Sequence, residues 1–124
     1  MQTRIAPTPS GYLHAGNAIN FLIALKIARA NGGRLLLRID DLDTERMRPE
    51  YLEDVFDSLN WLGIDWNAGP CDVRDFRFQW SQRLRIERYR DLLHALREAG
   101  RLFACDCSRT QLATCGCRDR GLSF

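Results

Sequence analysis

The stretch from Arg4 to Asn17 reads R-I-A-P-T-P-S-G-Y-L-H-A-G-N and holds the first residues able to do chemistry. A short apolar strand at Ile5 and Ala6 runs into a turn stiffened by Pro7 and Pro9 and released at Gly11. The turn delivers His14 and Gly16 to the start of an apolar helical run, Ala18 to Ala30. A strand, a tight turn and a helix N-terminus make an anion site, because unpaired backbone N–H groups and the positive dipole end converge there. His14 can donate to a phosphate oxygen, and Gly16 has no side chain to keep a nucleotide away. A His before a Gly is by itself equally a loop histidine. The frame of strand, turn and helix is what points to a nucleotide.

The second group is Leu37-Arg38-Ile39-Asp40-Asp41-Leu42-Asp43. Ligands of open α/β sheets bind outside the carboxyl ends of the strands. Asp40 stands at such an end, beside the first turn, where a carboxylate can meet a substrate ammonium group. The competing reading is a solvated loop, or a cap for the next helix. The third group is two C-x-C pairs, Cys105/Cys107 and Cys115/Cys117. Four thiolates from a strand end and a nearby turn can close tetrahedrally on Zn²⁺, and in a reducing compartment a metal is favoured over a disulfide. The other reading is four reduced thiols in a frayed end. Cys71, isolated in an aromatic loop, reads as a plain buried thiol.

These groups need elements to hold them. Ala18–Ala30 is nearly all apolar, as in a helix packed on a sheet with little exposure, and Asn31-Gly32-Gly33 stops it. Residues 34–39 read as a buried parallel strand. Pro49 suits the first turn of a second helix, in which Leu52, Val55, Phe56, Leu59 and Leu62 repeat at helical spacing up to Gly63. Residues 65–79 form a loop holding Trp66, Phe76 and Phe78. Ser81 is a cap for a third helix to Ala99, with Tyr89, Leu92, Leu93 and Leu96 inward, and Leu102–Cys105 reads as a strand. The β-α-β start implies a parallel sheet with a right-handed crossover. The predicted fold is an α/β domain of half-Rossmann type.

Composition bounds the answer. The 124 residues suffice for one modest core, with 45% hydrophobic and 27% charged residues. No run of about 18 apolar residues occurs, so no membrane span is predicted. The first residues lack the apolar stretch of a secretory signal, which predicts a cytoplasmic protein. The net charge of +2 is uneven: residues 1–80 carry 9 basic and 11 acidic side chains, residues 81–124 carry 9 and 5. Every basic residue except Lys26 is Arg, which suits bidentate phosphate contact. The basic last third fits nucleic acid and ordinary solubility alike.

The Arg4–Asn17 stretch resembles the HIGH signature of class I aminoacyl-tRNA synthetases. Its form is that of the glutamyl-tRNA synthetases and the shorter glutamyl-Q tRNA(Asp) synthetases. The Leu37–Asp43 stretch resembles their L-R-I-E-D-T-D segment, with Asp40 where they carry Glu. Trp80-Ser81-Gln82-Arg83 and Tyr89-Arg90 resemble their S-Q-R and Y-R segments, so the likeness covers residues 3–107. It implies the first half of a Rossmann-type catalytic domain in residues 1–104, followed by a cysteine-rich segment, 105–124, that begins an acceptor-binding insertion. It implies ATP with Mg²⁺ and glutamate as substrates and the acceptor stem of a tRNA as partner. Cys105/Cys107 match the C-x-C of the family's zinc-binding region, whereas Cys115/Cys117 depart from its usual pattern, in which the remaining ligands lie further on and often include Tyr or His. The roles it implies are His14 and Asn17 as catalytic and, with Gly16, nucleotide-binding residues. Arg4, Ala6, Thr8 and Asp40 would bind the amino acid: Arg4 the substrate carboxylate, Asp40 the ammonium group.

A complete enzyme of this type also needs a second Rossmann half with a lysine-rich KMSKS loop. The only lysine here is Lys26, so the expectation is a truncated synthetase whose own turnover is incomplete. The alternative is a non-catalytic module that binds tRNA or a protein partner. A half domain also exposes sheet edge, which suits self-association. A nucleotidyltransferase of the broader HxGH superfamily is disfavoured by Asp40–Asp43 and the S-Q-R segment.

Overall fold

A computed structural model describes residues 1–117, and the chain divides into two compact units, Met1–Arg85 and Ile86–Phe124. In the first unit β1 (Gln2–Ile5) pairs in parallel with β2 (Arg34–Leu37), in the register Gln2↔Arg34 to Ile5↔Leu37. Between them runs α1 (Ala15–Ala30), making the expected β-α-β crossover. The ladder continues past both strands: Arg38 N–H donates to Ile5 O at 3.0 Å and Asp40 N–H to Pro7 O at 3.0 Å. The other edge of β2 is taken by residues 67–68, where Asn67 N–H donates to Leu35 O (3.1 Å) and Leu37 N–H to Ala68 O (2.8 Å).

Helix α2 (Pro49–Trp61) starts on Pro49 and buries Leu52, Val55, Phe56 and Leu59, as its spacing predicts. These side chains meet Ile5, Leu35, Leu37 and Ile39 of the sheet, with Phe21, Leu25 and Ala28 of α1, in one core. The aromatic loop is more ordered than expected. It contains a short turn α3 (Val73–Asp75), a π-helical turn (Phe76–Trp80) and a 3₁₀ turn (Gln82–Arg85). Trp66 donates to Pro70 O at 2.7 Å and leans on Phe56.

Four expectations need correction. Helix α1 is not sheathed: Ile19, Ile23 and Ile27, one stripe at i, i+4 and i+8, are 46–58% exposed. The long third helix begins at Ile86, not after Ser81, and α4 (Ile86–Glu98) buries no residue; Leu92, Leu93 and Leu96 are exposed. Leu102–Cys105 forms no strand, because no partner strand lies beside it among the described residues. Cys71 is exposed rather than buried. Among the described residues no helix is long and apolar enough to cross a membrane.

Candidate functional site

The turn after β1 is braced from α2. Pro7 and Pro9 are buried, and Leu13 N–H donates to Asp54 Oδ2 at 2.9 Å. Ser58 holds the other oxygen of Asp54 (3.3 Å), and Tyr12 packs edge-on against Tyr51. His14 is then the N-cap of α1, with extended backbone. Its Nδ1 accepts from Gly16 N–H at 3.1 Å, while Asn17 Oδ1 accepts from His14 N–H at 3.1 Å, a reciprocal capping box.

This cap changes the expected chemistry. The N–H groups of Gly16, Asn17 and Ala18 are all satisfied by His14, so they are not the bare donors the sequence suggests. The donors move to side chains. Because Nδ1 accepts, the imidazole proton sits on Nε2, and Asn17 keeps its Nδ2 amide hydrogens. Gly16 has a second role here: a Cβ on it would stand 3.0 Å from His14 Cε1 and 3.1 Å from Nδ1. The missing side chain makes room for the capping ring.

His14 and Asn17 line a cleft of about 380 Å³ with Ala6, Thr8, Tyr12 and Phe21. Four of the expected site residues therefore come together. Asp40 lies beside them through its backbone bond to Pro7, while Arg4 stands exposed on β1.

The acidic strand end is not a solvated loop. Asp41 is buried, accepting from Ser81 Oγ–H at 2.5 Å and from Gln82 N–H at 2.8 Å. Gln82 Nε2 donates to Ile39 O (3.3 Å) and Asp40 Oδ1 (3.2 Å). Asp41, Asp54 and Gln82 escape a reading by residue type. Their signals in the sequence are the doubled acid at 40–41, the S-Q-R segment, and a polar Tyr51/Asp54/Ser58 stripe beside the apolar face of α2.

In the second unit the four cysteines converge, their Sγ atoms all within 4.8 Å of one another. Cys105 meets Cys115 at 3.5 Å and Cys107 meets Cys117 at 3.7 Å. Zn–S bonds of about 2.3 Å in a tetrahedron put sulfurs about 3.8 Å apart, so the set fits zinc.

The family model of the class I tRNA synthetases (E and Q), catalytic domain, matches residues 1–120. The chain belongs to this family. It is 48% identical over 120 residues to the glutamyl-Q tRNA(Asp) synthetase of Symbiobacterium thermophilum, covering 97% of this chain and 37% of that protein. Its identity to the enzyme of the same name from Nitratidesulfovibrio vulgaris is 41% over 111 residues, or 90% of this chain and 34% of the relative. The chain thus spans about a third of the length of these curated relatives.

Among solved structures, the glutamate-tRNA synthetase of Elizabethkingia anophelis superposes on the whole chain with a TM-score of 0.70 at 27% identity, using 25% of its own length. A glutamate tRNA ligase of Elizabethkingia meningosepticum gives 0.67 at 24% identity over the same shares, a likeness of fold. The partial Rossmann architecture, with cysteines clustered towards the end, is that of a class I synthetase catalytic-domain fragment.

Proposed function

We propose that this chain carries the nucleotide- and glutamate-binding part of a tRNA-aminoacylating enzyme. In the reaction a glutamate carboxylate attacks the α-phosphorus of ATP and pyrophosphate leaves. Charge builds on the phosphoryl oxygens, so catalysis is positioning and electrostatics. Nε2–H of His14 and Nδ2–H of Asn17 donate to those oxygens, the positive end of α1 adds to them, and Gly16 leaves room for the adenosine. Arg4 meets a substrate carboxylate, Ala6 and Thr8 line the amino acid, and Asp40 takes its ammonium. Mg²⁺ arrives with ATP and offsets phosphate charge. Cys105, Cys107, Cys115 and Cys117 would hold a structural zinc that orders the segment meeting the tRNA acceptor end.

One observation carries this reading: the Asp40 N–H bond to Pro7 O, which sets an acid beside the His14 cleft. A glutamyl-adenylate analogue, titrated calorimetrically, is expected to bind the wild-type chain. His14→Ala should weaken it about tenfold, the loss of one charge-linked hydrogen bond. Gly16→Val should abolish it, because the new side chain displaces the imidazole. Equal titrations for wild type and Gly16→Val would remove the site.

The second reading, a tRNA- or protein-binding module without turnover, is favoured by the exposed Leu92, Leu93 and Leu96 of α4. Glutamate-dependent ATP–pyrophosphate exchange, with and without tRNA, separates the two. Exchange supports activation. Analogue and tRNA binding without exchange supports the module.

A further inference from the structure

Asp41 and the Ser81-Gln82 pair take no part in the chemistry above, yet they form the most buried polar cluster in the first unit. Asp41 is 2% exposed and Ser81 7%. Both carboxylate oxygens of Asp41 are spent on residues 40 and 41 positions away, Ser81 Oγ–H and Gln82 N–H. The backbone of Gln82 is therefore pinned under the strand end. Its side chain turns back, and each amide hydrogen has an acceptor: Ile39 O and Asp40 Oδ1.

We propose that Gln82 is a positioning residue for Asp40: it holds Oδ1 so that Oδ2 is presented to the ammonium group of the amino-acid substrate, with Asp41 and Ser81 as its anchor. The proposal rests on the reading of Asp40 as the ammonium-binding acid. Two physical features recommend a glutamine in this place. A free aspartate must lose rotamer freedom when it binds, and a side chain already held loses less. A neutral amide restrains one oxygen and leaves the carboxylate's charge for the ligand. An arginine would engage both oxygens and cancel the charge. The bond from Gln82 is made at Oδ1, so Oδ2 is the oxygen left for a ligand.

The test uses L-glutamate and glutarate, which is glutamate without its ammonium, titrated into the chain and followed by backbone amide shifts. The proteins are wild type, Asp40→Asn, Gln82→Met and the double variant. Gln82→Met keeps the backbone N–H bonded to Asp41, so the turn stays capped, and removes only the side-chain donor. Gln82→Ala serves in its place if the native amide pattern is lost.

Wild type should prefer glutamate over glutarate, and Asp40→Asn should erase that preference. Gln82→Met should lower glutamate affinity about tenfold, one hydrogen bond to a charged group, and leave glutarate affinity unchanged. A merely structural role would weaken both ligands alike. The double variant should be no weaker than Asp40→Asn alone, because the two residues act as one unit. Full glutamate preference in Gln82→Met, with Asp40→Asn impaired, overturns the role of Gln82 alone. Full preference in Asp40→Asn, or no binding of glutamate by wild type, overturns the reading of Asp40 and the proposal with it.

Discussion

Stripping zinc from the four-cysteine cluster is expected to unfold residues 101–117 and leave the first unit folded. Among the described residues of that stretch only Cys117 is buried, and the sole regular element is the 3₁₀ turn Leu112–Thr114. Among the described residues no apolar core offsets the entropy of ordering this stretch. In such segments metal-binding energy becomes folding energy, about 10–16 kcal/mol for structural zinc. The first unit has its own core of Leu37, Leu52, Val55 and Leu59, each fully buried.

Limited proteolysis after chelation should therefore cut the last stretch first. Cys117→Ser should lower zinc affinity steeply, since a four-sulfur site loses a ligand. Protein purified under reducing conditions with less than about a tenth of an equivalent of zinc would sink the idea.

The cluster also sets a pH dependence. A backbone hydrogen bond from Cys117 N–H, then the thiol of Cys105, lower Cys115 to about 7, whereas contacts with neighbouring thiols, Cys115 foremost, raise Cys107 to about 12. Near neutrality Cys115 of the metal-free cluster is close to its midpoint, while Cys107 keeps its proton. Binding must displace the proton of Cys107, so affinity falls as pH drops. Below about 7 Cys115 is protonated as well, and one more proton competes with the metal.

Gly69→Ala is expected to destabilise the first unit by roughly 3–5 kcal/mol, combining a strained backbone, overpacking and a lost ladder bond. Gly69 has φ of +110°, and a Cβ there would lie 2.1 Å from Leu37 O and 3.0 Å from its carbonyl carbon. These are backbone atoms of β2, so no rotamer change relieves the clash. Residues 67–69 must lift away, leaving the buried Leu37 N–H without Ala68 O. The strand that carries Asp40 and Asp41 then loses one edge. A melting temperature lowered by more than about 10 °C is the expected reading for a domain of this size. The control is Gly11→Ala, whose Cβ meets nothing within 4 Å, and which should change stability by less than about 1 kcal/mol. Equal melting of the two variants would refute the close approach.

The local part of the fold is legible in the order of residue types. Pro49 opening α2, Asn31-Gly32-Gly33 closing α1 and the apolar period of α2 act within one helical turn, so neighbouring residues decide them. The HIGH-like turn, the acid at the end of β2 and the paired cysteines are legible for the same reason, since each is a short run of side chains with its own chemistry.

Long-range partnerships are not legible in this way. The apolar run Leu102–Cys105 has strand propensity, but a strand needs a neighbour to share its ladder, and none is there among the described residues. Helix α4 has an apolar stripe, yet burial depends on what lies opposite, and Leu92, Leu93 and Leu96 remain exposed.

The sequence by itself determined the family, the β-α-β order and the candidate site residues. The tertiary structure decided how those residues are held. Asp54 reaches 41 positions back to Leu13 N–H, and Asp41 reaches 40 forward to Ser81. Such bonds form only after the crossover stacks α2 on the sheet and returns the chain beneath the strand end. Closing those loops costs entropy that no local signal encodes, and burial of the shared core offsets it.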